Sequence, residues 1–325
     1  MCSNSHCYVT LFNYYWYFFT GFASIFQLIL LYLITYKSPA TLDSLKCFLY
    51  NTSLVQTAMI AFAFLSQHRF LSNSSTAAVL SLGPCRYMSP RICFINYHFF
   101  MATSLAAGSA ISVTVLFRFL VLVQCQLSAS QSYVMISASY IASIIVLILP
   151  FTDSWDFALV QRATALEHPS YDLSAYTPFP GFSNVRSPQF LSATLILSIG
   201  AYGIPIGCLF LTRQVLRLIR FHRHMSERTK KQAQTLIHGL IVQSMLPFIS
   251  YIPTFSGYVY SQTTGSELLI CEHLILVSAA FPALVDPLIS FYFIIPYRQV
   301  VIDFLIPKRS TRIISVKNNS TSGLN

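Results

Sequence analysis

Asp286 is the residue most out of keeping with its neighbours. It stands before Pro287 in Ala283-Leu284-Val285-Asp286-Pro287-Leu288, a stretch otherwise without charge. A carboxylate in hydrocarbon costs about 3 kcal/mol on insertion scales, so it is expected to face a protein interior, paired or protonated. Pro287 withdraws a backbone hydrogen bond beside it. The pair reads either as a structural hydrogen-bond centre or as one part of a conformational switch. Arg118, in Phe117-Arg118-Phe119, reads as a second switch residue or as a side chain reaching for lipid headgroups. Pro247 lies in Gln243-Ser244-Met245-Leu246-Pro247 and Pro253 follows it; Pro205 lies between Gly203 and Gly207. Helix kinks arise mainly at such prolines, and three neighbouring apolar segments with breakers suggest a mobile half of a bundle. His98, Glu272 and His273 lie at the ends of apolar segments. They are expected either to meet and line a pocket or to face headgroups and water.

These residues need apolar helices to hold them, and the composition supplies little else. Of 325 residues, 54% are apolar and 9% charged. A soluble domain carries about 25% charged residues, so this chain could not cover a soluble surface. The same figures exclude intrinsic disorder. Seven apolar stretches are long enough to cross about 30 Å of hydrocarbon. They run over residues 11–36, 45–67, 94–123, 132–151, 190–212, 235–258 and 268–295. The fold class is therefore an all-α membrane protein, a bundle of seven transmembrane helices. A barrel is disfavoured because the runs are continuous rather than alternating.

Charge sets the expected orientation. Fifteen of the twenty Lys and Arg fall in the loops after spans one, three and five, in the tail, or, as Lys46 and Arg118 do, near the span ends beside those loops, and five fall on the other side. Basic loops stay cytoplasmic, so the N-terminus is expected outside and the C-terminus inside. Residues 1–10 are then extracellular, 11–295 form the bundle, and 296–325 form a cytoplasmic amphipathic segment and tail. The first 36 residues hold no Lys or Arg, so the first span is expected to be an uncleaved anchor. The net charge of +10 comes largely from the inner clusters Arg213–Lys231 and Arg298–Lys317, which argues against a nucleic-acid partner.

Between the spans there is little room for a soluble catalytic domain. The loop from Thr152 to Gln189 is the longest and reads equally as a structured lid or a solvated loop. Asn73-Ser74-Ser75 is a glycosylation signal in the first outer loop. Cys2, Cys7, Cys85, Cys93 and Cys271 fall outside, where disulfides persist, and their pairing stays open. No zinc spacing or other cofactor site is evident. An aspartyl protease would need a second membrane Asp near Asp286. A retinal Schiff base would need a Lys in span seven, and none occurs between Lys231 and Lys308.

Several passages resemble the nematode serpentine chemoreceptors, class delta, which are G-protein-coupled-receptor-like. They are Gly83-Pro84-Cys85-Arg86-Tyr87, Cys93 to His98, Phe117-Arg118-Phe119, Met225 to Lys230, Gln243 to Pro247, and Asp286 to Arg298. The resemblance implies a non-enzymatic chemosensory receptor in the plasma membrane, by family habit of a sensory cilium. Its partners would be a small odorant- or pheromone-like ligand, a heterotrimeric G protein and membrane lipid, with dimerisation open. It implies that Arg118, Pro247, Asp286 and Pro287 are the activation switch. Arg217, Arg220, Arg223, Lys230, Lys231 and Arg298 would face the G protein. The loop after span four holds no Cys, so Cys85 or Cys93 would pair with Cys7 or Cys271. No acid precedes Arg118, and the tyrosine after Asp286-Pro287 stands at Tyr292, both unlike the rhodopsin pattern. The alternatives are a seven-span cation channel of inverted topology and a non-signalling co-receptor. The charge bias and the lack of an acidic ring oppose the channel.

Overall fold

The computed structural model describes residues 5–39, 42–123, 125, 127–221, 227–264 and 269–305. The chain crosses its bundle on α1 (Ser5–Tyr36), α2 (Asp43–Ser66), α3 (Pro90–Leu122), the consecutive pair α4 (Ala129–Ser139) and α5 (Ile141–Ile148), and then onward past an outer helix, α6 (Phe157–Glu167). α7 (Pro188–Phe221) and α8 (Glu227–Thr264) follow, then the pair α9 (Leu269–Ala280) and α10 (Pro282–Phe293), and last α11 (Ile295–Leu305). Among the described residues six helical segments are long and apolar enough to cross a membrane. The expected sixth span lies within the 38 residues of α8.

Helix starts follow local chemistry. Ser89 accepts from the Ile92 amide at 3.2 Å ahead of Pro90, which needs no partner for its nitrogen. Ser128 and Gln131 form a reciprocal capping box at α4. The bundle hides its polar groups and shows its apolar ones, as hydrocarbon solvent requires. On α1, Tyr14, Phe18, Phe22, Ile25, Leu28 and Tyr32 are exposed at helical spacing, while Trp16, Phe19, Ala23, Leu30 and Ile34 are buried.

The end of the bundle that carries the loops after spans two and four, called outer from here on, departs from an all-helical expectation. Three short strands form an antiparallel sheet in the order β1-β2-β3: β1 (His68–Ser72), β2 (Ala77–Ser81) and β3 (Gly181–Phe182). Phe70 pairs with Val79 and Leu71 with Ala78, and β3 pairs Gly181 with Ala78. Phe70, Ala77 and Val79 pack on the bundle core, whereas Leu71, Ala78 and Leu80 pack under Val160, Tyr176 and Phe179. The sheet is a middle layer, apolar on both faces because both are covered. Gly181 is required by the pairing: a Cβ there would lie 2.2 Å from the Ala77 carbonyl oxygen. Residues 152–189 are thus a structured lid, carrying α6 and β3.

Two expectations are corrected here. Cys85 and Cys93 pair with each other, not with Cys7 or Cys271, since the 3₁₀ turn at Pro84–Tyr87 folds back on the start of α3 and sets their Cα atoms 5.1 Å apart. Cys271 is a free thiol on α9 facing Gly257, and the side chain of Cys7 lies outside the described residues. Asn73 is the second correction. Its amide nitrogen is buried and donates to Thr76 Oγ1 at 2.7 Å and Thr164 Oγ1 at 2.9 Å, so no room remains for a glycan. The expected outcome is that glycosidase treatment of the expressed receptor gives no mobility shift that Asn73→Gln removes. A shift lost in that variant would show that the hairpin tip does not adopt this packing.

Candidate functional site

Two centres lie in the bundle, a cavity beside the sheet and a polar cluster built on Asp286, and α3, α8 and the α9–α10 pair run past both. The outer centre is a cavity with about 700 Å³ of interatomic space, its mouth included. α3 contributes Tyr97, His98 and Met101, and α7 contributes Phe190 and Thr194; Phe255 and Tyr258 come from α8 and Ile275 from α9. Phe70 and Phe182 from the sheet also line it. The lining is mostly apolar. His98 is its buried exception, held among aromatic rings: Phe94 at 4.4 Å, Phe182 at 5.5 Å and Trp155 at 6.4 Å between centroids. Trp155 is fixed in turn by donating to the Pro150 carbonyl at 2.9 Å. The Nε2 of His98 has no hydrogen-bond partner among the described residues. A buried polar atom without a partner is a standing cost that a ligand group can relieve. The cavity therefore suits a small, largely apolar molecule with one hydrogen-bonding group.

The cap over this cavity is clamped by charge. Arg69 on β1 donates from Nε and Nη2 to Glu272 Oε2 on α9, at 2.9 and 2.7 Å, with both side chains buried. Tyr171 donates to the other Glu272 oxygen at 3.2 Å, and its ring lies 4.9 Å from the guanidinium carbon. Burial is the largest single influence on Arg69 and works against its charge, but Glu272 and Tyr176 together more than offset it and hold the guanidinium above its ordinary range. The hairpin tip is tied to α6, because Ser74 donates from its amide and hydroxyl to Glu167 at 2.7 and 2.8 Å.

The inner centre is built on Asp286. Gln243 Nε2 of α8 donates to its Oδ1 at 2.8 Å, and Gln56 Nε2 of α2 donates to its Oδ2 at 3.3 Å. Gln27 of α1 donates to the Gln56 side-chain oxygen at 2.8 Å and accepts from Ser53 at 2.7 Å. The Gln27 Nε2 also donates to the Ala283 carbonyl at 2.9 Å. That carbonyl lies four residues before Pro287, which has no N–H to give it. A side chain from span one therefore fills the gap that the span-seven proline opens. Arg118 on α3 is near enough for its charge to act on Asp286, and its Nε is buried without a partner among the described residues. Pro247 is buried on α8 one turn beyond Gln243.

The family described as serpentine type 7TM GPCR chemoreceptor Srd matches residues 12–303. The chain belongs to this family. "Serpentine receptor class delta-59" of Caenorhabditis elegans is 73% identical over all 325 residues and the whole of both chains. "Serpentine receptor class delta-50" of the same organism is 30% identical over 308 residues, covering 91% of this chain and 88% of the relative. This is a family of chemoreceptors, not of enzymes, and the chain is a multi-pass membrane protein.

Within this serpentine receptor the expected site residues divide. Arg118, Asp286, Pro287 and Pro247 converge on one region. His98 lines the outer cavity, but Glu272 and His273 do not join it there. Glu272 is engaged with Arg69, and His273 faces span one, stacked on Phe12 at 4.6 Å. Arg69 was not marked by the sequence as distinct from the other outer arginines, because its partner is 203 residues away. Gln27 and Gln56 were missed too, though a lone amide in an apolar span is a legible signal. Of the basic residues at the inner face, Arg217 is exposed on α7 and Arg298 half-buried on α11. The side chains of Arg220, Arg223, Lys230 and Lys231 lie outside the described residues.

Two outcomes test the clamp. Arg69→Met strands a buried carboxylate and is expected to lower stability by about 3–5 kcal/mol, most of it restored by Arg69→Met with Glu272→Leu. Thermal unfolding in nanodiscs reads both; equal loss in the single and double variants would refute the clamp. His68 lies beside it, with Nδ1 2.8 Å from Ser81 Oγ. Burial, and then the neighbouring His98, lower its imidazole from 6.5 to about 3. The unfolded chain takes up that proton near pH 6.5 and the folded chain does not. Stability is therefore complete above that pH and falls as pH drops towards 3, by up to about 1.4 kcal/mol per pH unit. His68→Gln is expected to make that fall shallower, and an unaltered slope would remove His68 from it.

Proposed function

We propose that this serpentine receptor is a chemosensory receptor of the plasma membrane that couples a small ligand in the outer cavity to a heterotrimeric G protein at the inner face. The observation that carries the reading is that the cavity and the Asp286 centre share their helices. His98 and Arg118 are both on α3. Phe255 and Tyr258 are on α8 with Gln243, and Pro247 and Pro253 lie between them. Ile275 on α9 is joined to Asp286 on α10 across the break at Phe281. A ligand touching Phe255, Tyr258 and Ile275 bears on the outer arms of the proline-bearing α8 and of the α9–α10 pair, whose inner arms meet at Asp286. Differential affinity for one arrangement of those arms shifts the population towards it.

In this reading residues 1–10 lie outside, residues 11–295 are the receptor bundle, and residues 296–325 lie in the cytoplasm. The charge bias supports that orientation. Movement of α8 would alter the inner face between Arg217 and the segment Lys230–Lys231. α11 forms the floor beside it, with Tyr297 fully buried and its hydroxyl 2.5 Å from Ser38 Oγ. The family resemblance favours a sensory cilium as the location.

The reading is tested in cells expressing the receptor with a G-protein reporter and an agonist drawn from an odorant panel. His98→Phe is expected to raise the half-maximal concentration about tenfold with the maximum retained, the effect of one lost polar contact. Asp286→Asn and Arg118→Gln are expected to change the maximal response while surface staining persists. Dose–response curves unchanged in all three variants would overturn the proposal.

A further inference from the structure

One wall of the bundle is loosely packed. The apolar windows of spans four and five are only 22% and 17% buried, against 56% for span three. Between them, on the lipid side, runs a groove with about 940 Å³ of interatomic space, its mouth included. Leu105 and Val113 line it from α3, and Ile199, Gly203, Ile204 and Gly207 line it from α7. The surfaces flanking it are exposed Ile144, Ile145, Leu195 and Ile206, which a membrane protein turns to hydrocarbon. Ser112, a polar residue of the groove, is already engaged with the Gly108 carbonyl at 3.1 Å and the Cys208 sulfur at 3.3 Å. Apart from Ser109, Ser112 and Cys208 the lining of the groove is apolar.

The groove continues inward. A second space behind it shares Leu105, Gly200 and Ile204 with the groove, and shares Met101, Leu197, Phe255 and Ile275 with the His98 cavity. The side chains of Leu105 and Ile204 stand where the two spaces meet. The absence of a side chain at Gly200 keeps this point passable, since a Cβ there would lie 2.4 Å from Leu105 Cδ1. At the far end stands the unpartnered Nε2 of buried His98. The sheet contributes Phe70 and Phe182 to the cavity lining, and the buried Arg69–Glu272 pair ties that sheet to α9.

We propose that this groove is the ligand entrance: a small lipophilic molecule with one hydrogen-bonding group dissolves in the bilayer, enters between spans four and five, and passes Leu105 and Ile204 to reach His98. This rests on the reading of the His98 cavity as the ligand site. The route selects its ligands by partition into lipid before any contact with the cavity, at about 0.8 kcal/mol for each buried CH₂.

The test uses the full chain in lipid nanodiscs and a trifluoromethyl-phenyldiazirine, a small apolar photolabel that partitions into the bilayer. Flash photolysis at intervals after mixing, with peptide mapping, follows the onset of label at Met101, Phe255 and Tyr258. Gly203→Leu fills the groove from a position where a Cβ meets nothing closer than 3.9 Å, so the fold tolerates it. Gly21→Leu is the matched control, an open glycine on lipid-facing α1 with nothing within 4 Å. The expected result is that cavity label appears at least about tenfold more slowly in Gly203→Leu than in the parent chain or in Gly21→Leu, an effect on entry rate. Equal onset in all three chains would overturn the lateral route and leave the cavity reading standing. Label confined to the bilayer-facing residues of the parent chain would overturn the cavity reading itself.

Discussion

A carboxylate placed in the middle of a bundle solvated by hydrocarbon must be answered by donors from the helices around it. Asp286 imposes that demand here. Gln243 and Gln56 meet it directly, Gln27 holds Gln56 in place and is itself held by Ser53, and Gln27 also serves the Ala283 carbonyl that Pro287 leaves open. Spans one, two, six and seven are thus set in register by hydrogen bonds that have no substitute in lipid. Around this centre the packing becomes conventional: Leu30, Leu33, Phe48, Phe117, Phe291 and Tyr297 form the apolar core beneath it.

The outer face solves a different problem. It meets water, must roof an apolar cavity, and has no disulfide to hold its long lid. Among the described residues the disulfide that forms is local, between Cys85 and Cys93, and secures the turn before α3. Attachment of the lid passes instead to backbone pairing of β3 with β2 and to packing of both sheet faces. The sheet is fastened to span seven by Arg69 and Glu272. A buried ion pair is a weak source of net stability but a strong penalty on any arrangement that separates its members. Its effect is to define one closed cap.

Firmness is unevenly distributed through the bundle. Spans one, two and three contribute most of the two largest apolar clusters, while the apolar windows of spans four and five are only 22% and 17% buried. Breakers lie in α7, α8 and α10, the parts that must move if the cavity is to be felt at the inner face. A receptor needs a fixed reference and a displaceable part, and this division provides both.

The amino-acid sequence by itself determined the class of fold. Uninterrupted apolar runs of span length leave a chain with 9% charged residues no other way to satisfy its backbone. It also singled out Asp286, Pro287, Arg118 and Pro247, because a charge or a proline in a span is conspicuous wherever it sits. What it could not do was say who answers whom. Arg69 reads as one more outer arginine until the fold brings Glu272 to it, and Glu272 reads as a pocket residue until that pair consumes it. Asn73 reads as a glycan acceptor until Thr76 and Thr164 occupy its amide. Cys85 has several partners open to it until a turn sets Cys93 alongside. Spacing along the chain reports a residue's own setting, whereas pairing between segments far apart in sequence depends on their approach in space, and only the tertiary structure decides that.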